Sequence, residues 1–237
     1  MNVILFDSDA ATQVLPRKDP RVLHLLNVLK CDVGDPFDAG VINGLMGKGN
    51  IVSMDEVEMV IDLSLENSPV ALDDIRVIVG LPRPQTARKI LKELSSLGAA
   101  SLDFVFTEGS DRRYARSSLW TTGEWARHLV SGAQQAFTTT IPEVRWGSEL
   151  AEAAESVHGK ASRIALDNYE GVEAMGEAAL ALPLVIAVGP ERGWSSLDRE
   201  ILRGEGFHLV HLGTRVLRVE TACTAAYAIA KSKLGMM

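Results

Sequence analysis

The sequence predicts an α/β protein in which a small β-rich module precedes a larger domain with a mostly parallel sheet. Residues 1–70 contain short strand-like runs separated by glycines, a pattern typical of a small barrel. From residue 75 onward, apolar runs alternate with helical patterns. Strands that alternate with helices imply a parallel sheet covered by helices on both faces. The chain has 237 residues, which is long enough for both domains.

The N-terminal module contains strand patterns and one helical stripe. The predicted elements are strands at residues 3–6, 50–54 and 57–63 and a helix at residues 21–30. The helix is indicated by apolar residues at helical spacing, namely Val22, Leu25, Leu26 and Leu29. Residues 66–69 read Glu-Asn-Ser-Pro, which is typical of a linker. We therefore predict domains of residues 1–68 and 69–237.

In the larger domain, the run at residues 75–81 is continuously apolar, as expected for a strand buried on both faces. The predicted strands are residues 75–81, 102–106, 164–166, 184–188 and 208–212. The predicted helices are residues 86–97, 121–136 and 219–234. Ligands of parallel sheets bind beyond the carboxyl ends of the strands. Residues 189–193 and 213–215 are therefore the first candidates for a site.

Composition excludes several classes of protein. The two cysteines, Cys31 and Cys223, are far apart and form no CxxC pair, so we expect no metal site. The longest apolar stretch, residues 178–188, contains Pro183 and is shorter than the roughly 20 residues that span a bilayer. The N-terminus has no basic region before its short apolar run, so we expect a cytoplasmic protein without a membrane segment. The net charge of −7 does not exclude a local basic patch for RNA.

Three glycine-containing motifs are absent. A P-loop would require glycine at Ile42 and Ser or Thr at Gly49, so residues 44–49 are predicted to form a β-turn. No GxGxxG follows the first buried strand, which leaves a Rossmann cofactor site unsupported. A nucleophile elbow around Ser195 would require glycine where Leu197 stands.

Two loops remain, each at a strand end. In AVGPERGWSSLDRE, glycines flank Glu191, and Ser195 or Ser196 is expected to cap the following helix. In HLGTRVLRVETACTAA, Arg218 precedes Glu220 and an alanine-rich helix, and a buried arginine there would need a carboxylate partner. Taken alone, the first loop also fits an ordinary strand–helix turn, and the second fits a surface basic pair.

The paired segments GPERGWS and LGTRVLRVETA resemble the C-terminal signatures of RsmE-type 16S ribosomal RNA methyltransferases in the SPOUT superfamily. Those signatures read GPEGG-aromatic-S and LG-x-R-I/V-LR-x-ETA, so the second match is almost unbroken over eleven residues. The stretch HLLNVLKCDVGDPFDAG resembles the family's opening, with Lys30 where arginine is usual.

The resemblance implies a PUA-like β-barrel that helps to hold RNA, followed by a SPOUT α/β domain with a C-terminal trefoil knot. It also implies a homodimer whose knotted loops bind S-adenosylmethionine in a bent shape. Carried over by motif, the cofactor-binding residues are Gly189, Glu191, Gly193, Leu212, Gly213, Val216, Leu217 and Thr221.

The family methylates N3 of a uridine in small-subunit rRNA. N3 lies on the Watson–Crick edge, so the base must be unpaired or flipped out, and its proton must leave. A cation beside the uracil oxygens stabilises the developing anion. We expect Arg218 in that catalytic role with Glu220 orienting it, and we identify no general base in the sequence.

The RNA-facing motifs depart from the family pattern. The family's Lys-x-x-Glu-Leu-Gly is ELSSLG at residues 93–98, and Arg192 replaces the middle glycine of the first loop. An arginine–tyrosine cluster after the second strand suits phosphate contact and base stacking, although a solvated loop is the alternative. The expected RNA-binding residues are Arg112, Arg113, Tyr114, Arg116, Gln135, His24 and Lys30.

Three functional hypotheses follow. The first is a uridine-N3 methyltransferase acting on small-subunit rRNA. The second is a SPOUT methyltransferase acting on another RNA or another atom, such as a ribose 2′-hydroxyl. The third is a protein that binds RNA or S-adenosylmethionine without catalysis.

Overall fold

The computed structural model describes residues 3–157 and 159–237, which form two compact units. One unit contains the chain up to Ala71 together with Ala133–Ile141, and the other contains Leu72–Gly132 and Pro142–Met237. No sequence pattern predicts that a short central segment belongs with the N-terminal part of the chain.

The first unit is built on a five-stranded sheet. Its strands are β1 (Ile4–Phe6), β2 (Thr12–Pro16), β3 (Pro36–Val41), β4 (Met46–Met54) and β5 (Glu58–Asn67). They lie in the order β1-β3-β4-β5-β2, with β1 and β3 parallel and the other pairs antiparallel. Phe6, Leu25 and Ile61 are among the buried side chains that form its core. Strands β2 and β3 have no counterpart among the predicted elements.

The helix predicted at residues 21–30 is two segments in the structure. Helix α1 (Pro20–His24) begins at Asp19, whose carboxylate accepts a hydrogen bond from the backbone N–H of Arg21 at 2.8 Å. A π-helical turn follows at Leu25–Leu29 and ends at Lys30, which has a φ of 60°. The left-handed conformation of Lys30 ends the helical hydrogen-bond pattern.

The second unit contains a seven-stranded sheet in which all strands are parallel, whereas a mostly parallel sheet was predicted. Its strands are β6 (Asp73–Gly80), β7 (Ala99–Phe106), β8 (Glu143–Glu149), β9 (Ser162–Leu166), β10 (Glu173–Ala174), β11 (Leu184–Val188) and β12 (His208–His211). The order across the sheet is β10-β12-β9-β11-β6-β7-β8. From β6 the chain adds β7 and β8 on one side, and it later adds β9 to β12 on the other side of β6. The sheet therefore has a topological switch point between β6 and β11.

Helices flank this sheet. They are α2 (Pro84–Leu97), α3 (Ser118–Thr121), α4 (Glu124–Gln135), α5 (Leu150–Glu155), α6 (Ser196–Gly204) and α7 (Val219–Lys233), with a 3₁₀ turn at Arg112–Arg116. The helix predicted at residues 121–136 is interrupted because Gly123 adopts a φ of +73° between α3 and α4. In the part of the chain that the structure describes, no helix combines the length and apolar character needed to cross a membrane.

Strand β11 lies at the centre of the sheet. All five of its residues are buried, and it pairs with β9 on one side and β6 on the other. A strand covered on both faces and both edges requires apolar side chains throughout, which explains the run Leu-Val-Ile-Ala-Val. The carboxyl end of β11 is therefore rigidly held, and the loop that follows starts from a fixed point.

Candidate functional site

The carboxyl ends of β6, β9, β11 and β12 surround a cleft of about 610 Å³. Four chain segments contribute its walls, at residues 83–89, 166–169, 188–194 and 212–222. The volume lies within the range of roughly 300–1,000 Å³ that is usual for small-molecule sites. The two loops singled out in the sequence thus form opposite parts of one cleft.

Trp194 anchors the loop after β11. The residue is 4% exposed, and its indole N–H donates to the backbone carbonyl of Leu166 at 2.9 Å. Gly193 has a φ of +72°, and its N–H donates to the carbonyl of Pro190 at 2.8 Å. Glycine is needed at this position because a side chain would strain that backbone conformation. The loop is consequently held by a hydrogen bond within it, from Gly193 to Pro190, and by one to the end of β9, from Trp194 to Leu166.

A capping box closes the same loop at the start of α6. The Ser195 hydroxyl accepts from the N–H of Asp198 at 3.1 Å, and the Asp198 carboxylate accepts from the N–H of Ser195 at 2.9 Å. Asp198 also accepts from the N–H of Glu108 at 3.2 Å. A cap at Ser195 or Ser196 was predicted, and the structure places it at Ser195, where it satisfies backbone donors that would otherwise be unpaired.

Glu191 joins the first loop to helix α2. Its carboxylate accepts from the backbone N–H of Arg83 at 3.0 Å and from the hydroxyl of Thr86 at 3.4 Å. A carboxylate is stabilised at this position by the unpaired donors and the dipole of the helix start. Glu191 lines the cleft, and it also connects two of the cleft's walls.

The loop after β12 is held much less tightly. Gly213 has a φ of +107°, and its N–H donates to Nδ1 of His211 at 3.1 Å. The Val216 side chain is 79% exposed beside the cleft. Arg218 is exposed and lines the cleft, and within residues 3–157 and 159–237 its guanidinium has no hydrogen-bond or ion-pair partner.

The predicted pairing of Glu220 with Arg218 is wrong. The Glu220 carboxylate is instead bonded to the ammonium of Lys89 on α2, at 3.0 Å. Burial alone would raise the pKa of Glu220, but the hydrogen bond from Lys89, with the positive charges of Lys89 and Arg218, lowers it overall. Lys89 approaches from another helix, which leaves Arg218 available to a ligand.

The cleft brings together most of the residues predicted for the cofactor and for catalysis. Those that line it are Gly189, Glu191, Gly193, Leu212, Val216, Leu217, Arg218 and Glu220. Gly213 and Thr221 do not line it, and Thr221 is exposed at the start of α7.

A second cavity of about 430 Å³ adjoins the cleft and shares Arg83, Pro190, Glu191 and Arg192 with it. We call it the arginine cavity, and it is lined by Leu81, Arg83, Glu108, Gly109, Ser110, Asp111, Arg112, Tyr114, Pro190, Glu191 and Arg192. Two of the predicted RNA-binding residues, Arg112 and Tyr114, are part of this lining, whereas Arg113 and Arg116 are not.

The arginines of the 3₁₀ turn are partly neutralised. Arg112 pairs with Glu149 at 2.7 Å, and its guanidinium lies 4.4 Å from the centre of the Phe106 ring. Arg113 bonds Asp111 at 2.6 Å and lowers the pKa of that carboxyl to about 2. The cluster is therefore less basic than its sequence suggests.

The other three residues predicted to bind RNA lie in the first unit. Lys30 and Gln135 are exposed. His24 is half-buried at the end of α1, and its Nε2 atom has no hydrogen-bond partner among the residues that the structure describes.

Several residues of the cleft were missed by sequence reasoning. The start of α2 contributes Arg83, Thr86 and Lys89, and the segment after β9 contributes Asp167 and Tyr169. A signal was present, because both segments follow predicted strands at their carboxyl ends. Among residues 3–157 and 159–237, no cluster of three His, Cys, Asp or Glu residues is arranged to hold a metal ion.

Comparisons with known proteins add to this geometry. Residues 68–231 match the family described as the RNA methyltransferase domain. The chain is 34% identical over 242 residues to "Ribosomal RNA small subunit methyltransferase E" of Treponema pallidum, covering 97% of this chain and 90% of that protein. It is 27% identical to "Ribosomal RNA small subunit methyltransferase E 1" of Borreliella burgdorferi, with 99% of each chain covered.

Solved structures share the fold over nearly the whole chain. One is the ribosomal RNA small subunit methyltransferase E of Neisseria gonorrhoeae bound to S-adenosyl methionine, with a TM-score of 0.76 at 22% identity, covering 99% of this chain and 98% of that one. Another is a probable rRNA-methyltransferase from Porphyromonas gingivalis, with a TM-score of 0.83 at 20% identity and 99% of each chain covered.

Proposed function

The chain belongs to the RNA methyltransferase domain family, and on that premise we propose that it transfers a methyl group from S-adenosylmethionine to N3 of a uridine in small-subunit rRNA. The observation that carries the proposal is the cleft in which both signature loops meet at the carboxyl ends of four parallel strands. The rRNA substrate follows from the names of the whole-chain relatives, and the N3 position follows from the resemblance of the loops to the RsmE-type signatures.

The cleft fits S-adenosylmethionine in size and in chemistry. Backbone groups near Gly189 and Leu212 are available to a nucleobase edge, and Val216 and Leu217 offer apolar contacts to a ring. The left-handed backbone at Gly193 leaves nothing within 4 Å of the position where a side chain would begin. Bound there, S-adenosylmethionine supplies an electrophilic methyl group. We assign Gly213 to the turn of the second loop, and Thr221 stays a predicted cofactor contact.

Arg218 and Glu220 act on the acceptor side of the proposed reaction. Loss of the N3 proton places negative charge on the uracil oxygens, and the unpaired guanidinium of Arg218 is suited to stabilise it. Glu220 holds the Lys89 ammonium beside the same cleft. Glu220 is already bonded to Lys89, so we do not assign it as the general base, and the N3 proton leaves to solvent water.

We extend the proposal to the finer architecture and to assembly. Residues 1–68 are proposed as a PUA-like RNA-binding barrel that presents His24 and Lys30, and residues 69–237 as a SPOUT domain with a C-terminal trefoil knot. The knot is supported by the path of the chain, which leaves β12 on the far side of β9 and returns in α7 to pack against α2 and β11. We further propose a homodimer that meets its rRNA substrate in the cytoplasm, and sedimentation equilibrium tests the dimer.

A second candidate function is methylation of another RNA or of a ribose 2′-hydroxyl. It is favoured by Glu93 and Ser96, which replace the charges usual in the family's helix motif. Glu93 lies roughly 10 Å along α2 from Thr86, at a helical rise of about 1.5 Å per residue. Ser96 donates its hydroxyl to the carbonyl of Glu93 at 2.8 Å, and the neighbouring Ser95 donates to Leu129 of α4 at 2.8 Å. These contacts support a packing role for that end of the helix.

Transfer of a labelled methyl group identifies the RNA that the protein methylates. Purified protein and methyl-labelled S-adenosylmethionine are incubated separately with small ribosomal subunits lacking the modification, large subunits and unmodified transfer RNA. We expect label in small-subunit rRNA alone. Label in another RNA would support the second candidate, and cofactor binding without label in any RNA would support a non-catalytic protein.

A further inference from the structure

We propose that the arginine cavity binds a phosphate-bearing nucleotide of the substrate RNA next to the methylated base, with Arg192 contacting the phosphate. The inference rests on the proposed function and adds a substrate subsite to it. Its starting point is that Arg192 lines both the cleft and the adjoining cavity. Arg192 is therefore positioned to contact a nucleotide that adjoins a base bound in the cleft.

The position of Arg192 is supported by a glycine across the cavity. A Cβ atom at Gly109 would lie 3.6 Å from Cβ and 3.9 Å from Cδ of Arg192, so the arginine stem runs beside this backbone. Arg192 is exposed, and no carboxylate of residues 3–157 and 159–237 lies within ion-pair distance of its guanidinium. A cation that is placed between two cavities without a structural partner is available to a ligand.

The arginine cavity is lined by both carboxylates and guanidinium groups, and two of its three carboxylates already accept hydrogen bonds from other groups. Asp111 is bonded to Arg113, and Glu191 is bonded to the start of α2, so both carboxylates are already engaged. Glu108 is the remaining carboxylate of the lining. Arg83 contributes a second guanidinium, which likewise has no ion-pair partner among the described residues.

The shape and chemistry of the lining match one nucleotide rather than a free anion. Guanidinium groups recognise phosphate through charge-assisted, frequently bidentate hydrogen bonds. Tyr114 provides an aromatic face, and unpaired RNA bases stack on such faces. With about 430 Å³, the cavity has room for a base and its sugar as well as the phosphate.

The test compares three variants with the wild-type protein. Arg192→Ala removes the cation, Arg192→Lys keeps the charge, and Arg127→Ala removes an exposed arginine of α4 that lines neither cavity. Fluorescently labelled protein is titrated with small ribosomal subunits lacking the modification at several salt concentrations. S-adenosylmethionine affinity and KM for the subunits are measured in parallel.

We expect Arg192→Ala to bind subunits about tenfold more weakly, as for loss of one charge-assisted contact. The slope of log affinity against log salt should fall by about 0.7, the value for one phosphate contact on a single strand. Arg192→Lys should keep the slope, and Arg127→Ala should match the wild type.

Two results would overturn the inference. One is an Arg192→Ala protein whose subunit affinity and salt slope equal those of Arg127→Ala. The other is a loss of S-adenosylmethionine affinity with subunit binding intact, which would assign Arg192 to the cofactor. Because binding is measured directly, absence of methyl transfer by the wild type would reject the proposed reaction separately.

Discussion

The two loops of the cleft face the same space but are stabilised very differently. The loop after β11 is held by the buried ring of Trp194, the Glu191 carboxylate on α2 and the capping box at Ser195. The loop after β12 exposes 79% of Val216, and the Arg218 guanidinium has no partner in the described part of the chain.

This difference distinguishes the loop that holds the cleft in shape from the loop whose side chains are available to a ligand. Side chains that are already bonded fix the shape of a site, whereas side chains without structural bonds are free to contact a ligand. We therefore infer that the first loop is preformed and that the side chains of the second loop make the ligand contacts.

The largest expected effect is on stability, from Trp194→Ala. Removal of a buried aromatic side chain leaves a cavity and costs about 3–5 kcal/mol of unfolding free energy. Val216→Ala, on the other loop, should stay within about 0.5 kcal/mol of the wild type because the side chain is exposed. Chemical denaturation of the three proteins measures both values. Equal losses in the two variants would contradict a preformed first loop.

The next effect is on catalysis, from Arg218→Ala. Loss of one group that stabilises developing negative charge lowers turnover by about 10²–10³-fold, or roughly 2.7–4 kcal/mol. Because Arg218 makes no structural bond within the described residues, stability and S-adenosylmethionine affinity should be unchanged. Single-turnover methylation and calorimetric cofactor titration measure these quantities. Unchanged turnover would remove Arg218 from the mechanism.

A smaller effect concerns Asp167, which directly follows β9 and lines the cleft. Burial alone would raise the pKa of Asp167, but hydrogen bonds from Arg199 and from the N–H groups of Tyr169 and Glu170 hold it below 3.8. Its contribution to stability is therefore complete above about pH 5 and is lost as the pH falls through the lowered pKa.

Asp167→Asn should cost about 1.5–3 kcal/mol at pH 7, as for hydrogen bonds to a charged group. The variant should also lose less stability than the wild type between pH 5 and pH 3, because the titrating group is gone. Urea unfolding across this range tests the expectation. Parallel stability curves for the two proteins would show that Asp167 does not contribute in this way.

The smallest effect expected in the first loop is that of Glu191→Ala. Loss of its hydrogen bond from the backbone N–H of Arg83 costs about 1 kcal/mol. Glu191→Gln keeps an acceptor and should recover most of that loss, which thermal unfolding measures. If both variants are as stable as the wild type, the bond between Glu191 and α2 does not hold the two walls together.

Local patterns were sufficient for part of the fold and of the cleft. The apolar run of β11 and the cap at Ser195 were predicted because each depends on neighbours in sequence. The strand β8 was missed because its sequence, EVRWGSE, is largely polar. It lies at the edge of the sheet and pairs with β7 on one side only.

Contacts between residues far apart in the sequence could not be predicted from local sequence patterns. Glu220 was expected to pair with Arg218 two positions away, yet Lys89 is its partner across 131 residues of chain. Only the packing of α2 against α7 brings these two charges together. The connection of Glu191 to Arg83 depends in the same way on the order of strands in the sheet.

Nucleoside mass spectrometry tests the proposed function most directly. Small ribosomal subunits lacking the modification are incubated with the protein and S-adenosylmethionine, and their rRNA is digested to nucleosides. We predict new 3-methyluridine with the wild type and about 10²–10³-fold slower formation with Arg218→Ala. A 2′-O-methylated nucleoside, or no methylated nucleoside despite cofactor binding, would contradict N3 methylation of uridine.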